Sequence, residues 1–401
     1  MSGPLDGVRV LDLTTVVMGP YATQILADLG ADVIKIEPPG GDITRDNAPM
    51  RSRRMGHIFM NANRNKRSVV LDLKAPAGRE ACLAIAGTAD VFVYNIRPQA
   101  MARLRLAYED LRAANPRIVY VGAFGYSQRG PYAAKPAYDD LIQGAAGLPW
   151  LGKEAGAESP RYVPVVLADR SVGLHIVNAV CAALYHREKT GRGQRVDVPM
   201  FESLLQTVLG EHLGGYTYLP QAGEPGYRRM LAKERRPYET KDGYVCVLVY
   251  NDKQWRAFFD LIGQPGLAAD ARYATHEARS RDFAIGYGLI AEEMKKRSTD
   301  EWIAALEAAD IPVQRMNSLD DIVADPHLAA IGYFREVEHP TEGRIRAMAT
   351  PSEWSDSVPV YRRPAPLLGE HTREVLREAG YKDEAIGRMI ASGAAMEGEK
   401  P

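Results

Sequence analysis

The sequence predicts an α/β protein built on an open, mostly parallel sheet with helices on both faces. Short apolar runs alternate with stretches of helical spacing through the first half of the chain. The first strand, helix and second strand close within about 30 residues, the span of a βαβ unit. At 401 residues the chain exceeds one typical core, so two domains, or one domain with an elaborate insertion, are expected.

Val8–Leu13 reads as a buried strand, Pro20–Leu29 as a helix with Tyr21, Ile25, Leu26 and Leu29 on one side, and Asp32–Ile36 as the next strand. Ser68–Leu73, Val91–Tyr94 and Ile118–Ala123 continue the strands, and Pro76–Gly87 and Tyr108–Ala114 the helices. The spacing predicts a long helix over Ser171–Arg187, with Leu174, Val177, Cys181 and Leu184 as its apolar face. It stops at the glycine-bearing turn Thr190–Gly193, and a strand returns at Arg195–Val198. Phe201–Leu213 follows as helix. Glycines, prolines and four arginines then mark Gly214–Arg236 as a linker. Beyond it a strand pair turned at Lys241-Asp242-Gly243 and the helices Trp255–Ile262, Phe283–Lys296 and Thr299–Ala309 make a small α+β domain. Tyr333–Glu338 and Arg344–Met348 read as strands leading back to a helical tail that begins at Leu368–Leu376. The expected division is 1–213 for the first part of a large domain, 214–236 for the linker, 237–325 for the small domain, and 326–401 for the return.

Composition narrows the function. Fifty Lys and Arg balance 51 Asp and Glu, which argues against a broad nucleic-acid or anionic-membrane surface and leaves room for a local basic pocket. Three cysteines lie far apart and read as structural. The eight histidines form no HxH or HExxH pattern, so no metal is expected. Met1–Arg9 carries no basic-then-apolar leader pattern, and no run reaches the roughly 18 apolar residues of a membrane helix. A cytoplasmic location is the resulting expectation.

Two places could carry chemistry. Thr14–Pro20 joins a strand end to a helix start, where Gly19 permits close backbone approach and the helix N-terminus suits an anion or oxyanion. It is not GxGxxG, which disfavours a nicotinamide dehydrogenase. Asp169 follows the apolar run Val163–Leu167 and precedes the long helix, a strand-to-helix junction where α/β sheets bind ligands. An Asp there is ordinarily a helix cap, and position alone favours that reading. As a nucleophile it would need to be ionised, which a helix N-terminus favours. Arg45, Lys74, Arg97 and Arg103 stand near element ends, where basic groups could hold phosphates as a set.

Several stretches in order resemble the class III CoA-transferases, a group that includes formyl-CoA:oxalate transferase, carnitine CoA-transferases and α-methylacyl-CoA racemase. They are Leu5–Asp12, Gly19-Pro20, Leu26–Glu37, Gly41-Asp42, Asn65–Lys74, Asn95–Pro98, Asn115–Val121, Gly125–Pro131, Tyr138-Asp139 and Gln143. Asp169 with Gly173, Thr190–Asp197 and Pro366–Thr372 complete the set. The resemblance implies a Rossmann-like large domain with a smaller inserted domain, and a homodimer of interlinked chains. It implies that Asp169 attacks an acyl-CoA thioester, with Val17, Met18 and Gly19 around the oxyanion and acyl group and Asp139 supporting the site. Leu71, Lys74, Asn95, Ile96, Arg103 and Tyr138 would meet coenzyme A, which is a substrate and not a permanently bound cofactor. The other partner would be a small carboxylic acid.

Formyl-CoA:oxalate enzymes carry a glutamine where Val17 stands, and no glycine-rich run occurs in Gly214–Lys241, so the resemblance points away from oxalate. The racemases carry a histidine where Tyr138 stands and a glutamate near Asn251-Asp252. Racemase is therefore the second reading and a non-catalytic CoA-binding protein the third.

Overall fold

A computed structural model of the chain describes residues 3–398. Seven strands form the main sheet: β1 (Arg9–Leu13), β2 (Asp32–Glu37), β3 (Lys66–Leu71), β4 (Val91–Tyr94), β5 (Val119–Phe124), β6 (Arg195–Pro199) and, near the end of the chain, Ala395–Met396. The three strands β7 (Tyr238–Glu239), β8 (Tyr244–Val247) and β9 (Val313–Arg315) make a separate antiparallel sheet. A hairpin pairs β10 (Phe334–His339) with β11 (Gly343–Met348), and Ala395–Met396 is β12.

The main sheet runs β12-β3-β2-β1-β4-β5-β6. All neighbours are parallel except β12, which pairs antiparallel with β3 through Ala395–Leu71 and Met396–Val70. The chain winds outward from β1 to β2 and β3 on one side, then from β4 to β5 and β6 on the other. The gap between the ends of β1 and β4 is thus the switch point at which open α/β sheets bind ligands.

One core lies beneath the sheet. Leu11, Ile34, Val69, Phe92 and Tyr120 pack there against Cys82 and Ile85 of the helix Pro76–Gly87 and against Val375, Leu376 and Ile386 of the C-terminal helices. Against the other face lie helix α1 (Met18–Asp28) and the helix Leu167–Thr190, which pack on each other. A second core gathers Tyr238, Trp255, Phe258, Phe259, Ile290 and Trp302 around β7, β8 and β9.

The described residues divide into two compact units. One runs to Ala146, resumes over Val163–Thr207 and again from His327 onward; the other holds Gly147–Tyr162 and Val208–Pro326. Residues 147–162, read from sequence as part of the first unit, carry the helix Leu148–Glu154 in the second. The expected linker holds a short 3-10 turn at Gly214–Thr217 and a helical turn at Arg228–Leu231.

The long helix departs most from expectation. It begins four residues early, at Leu167, so Val163–Val166 is not a strand. Its buried stripe is Ala168, Val172, Ile176, Val180 and Ala183, while Leu174 is 50% exposed. At 24 residues it is long and apolar enough to cross a bilayer by length and composition, which corrects the sequence expectation. Its inner stripe packs as a core helix does.

Candidate active site

The turn after β1 is clamped at five backbone polar groups. Thr14 N–H donates to Asp12 Oδ1 at 2.8 Å, and Thr14 O accepts from Lys35 Nζ at 2.7 Å. Thr15 N–H donates to Asn95 Oδ1 at 3.0 Å, Asn95 Nδ2 returns a bond to Thr15 O at 2.8 Å, and Val16 N–H donates to Asp42 Oδ1 at 3.3 Å. Helix α1 starts directly afterwards with no side-chain cap, so its first N–H groups are free to meet an oxyanion. Gly19 is obligatory: a Cβ there would lie 2.2 Å from Thr14 Cβ.

Asp169 sits in the first turn of the helix Leu167–Thr190. Gly173, one turn on, is the contact point with α1: a Cβ there would stand 2.8 Å from Tyr21 Cδ1 and 3.1 Å from the Met18 carbonyl. The Arg170 guanidinium lies 4.4 Å over the Tyr21 ring. These contacts bring the acidic turn beside the clamped one.

The helix start is organised by Asp139, the first residue of the helix Asp139–Ala145. Asp139 Oδ1 accepts from the Asp169 N–H at 3.0 Å, and its Oδ2 accepts from Gln143 Nε2 at 2.6 Å. Buried Gln143 also takes the Val163 N–H on its Oε1 at 2.9 Å. Asp139 thus performs the N-terminal satisfaction that Asp169 was read as supplying. Burial, together with the neighbouring Asp139 charge, pushes the Asp169 carboxyl up to about 7, with Arg170 opposing weakly. Burial and the Asp139 charge thus oppose the ionised form that a helix N-terminus was expected to favour.

A cavity of about 230 Å³ at the switch point is lined by Thr15, Val16, Met18, Asn95, Arg97, Tyr138, Asp169 and Met200, with Gln128 and Lys135 on its wall. Taken together, it offers an oxygen nucleophile, open helix N–H groups, apolar surface and cations.

Residues 5–372 match the family description CoA-transferase family III. The chain belongs to CoA-transferase family III. It is 32% identical to human succinyl-CoA:glutarate CoA-transferase across 97% of this chain and 89% of that one. Against formyl-CoA:oxalate CoA-transferase of Rhodopseudomonas palustris the identity is 34%, across 98% of each. A solved CAIB/BAIF family protein from Brucella suis superimposes with a TM-score of 0.80 at 31% identity, covering 94% of this chain and all of that one. The protein is accordingly an enzyme of the CoA-transferase class.

Of the residues to which the family resemblance gave roles, the cavity gathers Met18, Asn95, Tyr138 and Asp169. Val17 and Gly19 are buried in the turn behind it, and Asp139 stands behind the Asp169 backbone. Tyr138 is 66% exposed and free to stack on a ligand. Asn95 spends its amide on Thr15 and shapes the turn. Lys74 and Arg103 are exposed but lie outside the cavity lining. Ile96 packs against the core. The Leu71 side chain is enclosed where β3 meets β12 and offers no surface to a ligand. Arg45 cannot hold a phosphate: it is buried, with Nε and Nη2 on the two oxygens of Glu37 at 2.8 and 2.7 Å.

Sequence reasoning missed Lys35 and Asp42 beneath the turn. A signal for Lys35 was present, since β2 reads DVIKIE and places that charge inside a strand expected to be buried; Asp42 lies beyond the strand and had no such signal.

Proposed function

We propose that the chain moves coenzyme A from an acyl-CoA donor to a carboxylic acid acceptor, with Asp169 as the covalent nucleophile. The observation that carries this reading is a partly buried carboxylate in the switch-point cavity, beside an uncapped helix start. The Asp169 oxygen attacks the thioester carbonyl and the C–S bond breaks, giving a mixed anhydride and CoA thiolate. The thiolate attacks the aspartyl carbonyl, which releases the donor acid and leaves an aspartyl-CoA thioester. An acceptor carboxylate enters and the steps reverse. The open N–H groups of α1 stabilise each tetrahedral oxyanion, and apolar walls limit hydrolysis of the anhydride.

For the acids we favour a dicarboxylate longer than oxalate, because Val17 stands in place of the oxalate enzymes' glutamine and relatives are named for succinyl-CoA and glutarate. A homodimer is supported by the outward apolar side of the long helix, with Leu174 at 50% and Tyr185 at 66% exposure, next to exposed Val163, Val165 and Val166. The racemase alternative needs a second acid–base group; Asp252, its candidate, is tied to Arg279.

Intact-mass measurement after mixing with a panel of acyl-CoA thioesters tests the mechanism. An adduct removed by hydroxylamine and mapped to Asp169 is expected, with succinyl-CoA or glutaryl-CoA productive. Proton exchange at the α-carbon without an adduct would transfer the assignment to the racemase.

The pH dependence follows from the Asp169 carboxyl. Only its ionised form attacks, so kcat/KM should rise with pH through about 7 and then level off. Asp139→Asn removes the neighbouring negative charge while Oδ1 can still accept from Asp169 N–H, so the midpoint should fall. A midpoint unchanged in that variant assigns the shift to burial alone.

A further inference from the structure

Beneath the clamped turn lies a layer of buried charges that the reaction scheme does not use. Lys35 and Asp42 pair at 3.0 Å with both side chains fully enclosed. Asp42 N–H donates to Glu37 Oε2 at 3.0 Å. Glu37 is gripped by Arg45, whose guanidinium lies 3.6 Å over the Phe59 ring. On the other side, Lys66 pairs with Asp12 at 3.1 Å.

Buried ion pairs are poor stabilisers: desolvation offsets most of the attraction, and well-packed apolar pairs are often as stable. Stability alone therefore gives little reason for charge here. The backbone above supplies one. Val16 has φ of +71°, a left-handed conformation that a β-branched residue avoids. Residues are held there only where their surroundings over-determine the conformation, and such sites cluster where strain serves function. Lys35 holds the carbonyl two residues before Val16, and Asp42 holds the Val16 N–H.

We propose that Lys35 and Asp42 are positioning residues for group transfer: they lock the Thr14–Val16 turn with Val16 left-handed, so that the open N–H groups starting α1 stay aimed at the carbonyl that Asp169 attacks. This rests on the aspartyl mechanism proposed above. Neither residue touches substrate, and the pair acts through the backbone. Without it, Val16 relaxes toward an ordinary conformation and the helix start swings away from the reacting carbonyl.

The test replaces both charges together, Lys35→Met with Asp42→Leu, which leaves neither buried charge unpaired. The variant should melt within a few degrees of the parent. Its kcat should fall on the order of 10- to 100-fold, with KM for acyl-CoA changed less than about threefold. Hydrogen exchange at the Thr15 and Tyr21 amides, which bond Asn95 and Val17 and not the pair itself, should accelerate. Adding Val16→Gly, which holds positive φ without penalty, should return at least about fivefold of the lost kcat. A folded pair variant with parental kcat and parental exchange overturns the proposal, as does a loss of kcat that Val16→Gly leaves untouched. If the melt drops instead, the exchange rates of the residual folded protein still decide, because a purely structural pair would leave the turn's amides slow. If the parent forms no aspartyl adduct, the mechanism fails while exchange at the turn continues to test the clamp.

Discussion

Replacing Asp169 with alanine is expected to abolish transfer and to stabilise the protein above neutral pH. The loss should be at least about 10⁴-fold in kcat, because among the described residues no other carboxylate lines the cavity to take over the covalent step. The gain follows from linkage. The folded chain holds the Asp169 proton up to about pH 7, whereas the unfolded chain releases it near 3.8. Both states are protonated below 3.8, so there is no penalty there. Between those values the unfolded state has lost a proton that the folded state keeps, so stability falls as pH rises. Above about 7 the penalty is complete, on the order of 2–4 kcal/mol for a partly buried group. Urea unfolding of parent and Asp169→Ala at pH 4 and pH 8 should diverge only at the higher pH. Equal stability at both would mean that water or a cation relieves the carboxylate, and that its attack is not promoted by burial.

Arg45→Met should be the most destabilising single substitution at this end of the sheet, about 3–5 kcal/mol. It strands Glu37, whose carboxyl is driven upward by burial and held below its ordinary value by Arg45, Lys35 and Ser68. It also frees the Pro366 carbonyl that Arg45 bonds at 3.2 Å and removes the stacking on Phe59. Adding Glu37→Gln should recover part of the loss, because the stranded charge is then gone. The chemical-denaturation midpoints of both variants measure it. A loss below about 1 kcal/mol would place Glu37 within reach of water.

What could be read from sequence, and what could not, separates along physical lines. Pro76–Gly87 and Tyr108–Ala114 were bounded as found, the first because a proline marks its opening. The long helix was started late because no Ser, Thr, Asp or Asn caps it: its N-cap is Val166. The apolar, β-branched run before it therefore read as strand. Its buried side was misassigned because both sides are apolar, and only one faces α1. Asp169, Asn95 and Tyr138, which line one cavity, stand in stretches that carry the family resemblance. Arg45 was not, since an arginine near an element end looks the same whether it waits for a phosphate or folds back onto a glutamate eight residues earlier. Lys35 could be noticed as a charge inside a strand, but the role of its pair with Asp42 lay beyond pattern reading because it depends on a carbonyl and an amide of the turn after β1.

The edge pairing of β12 with β3 has a consequence for how the chain is made. Leu71 waits for Ala395, about 320 residues later, or roughly 16–65 s at ordinary rates of polypeptide synthesis. Gly369 and Thr372, which bond Ser68 and Val70, also arrive late. Through that interval β3 presents an open strand edge whose last three residues, Val69–Leu71, are apolar, the kind of template on which nascent chains stick to one another. The interval from translation to a paired edge is therefore the stage at which aggregation of this chain is expected.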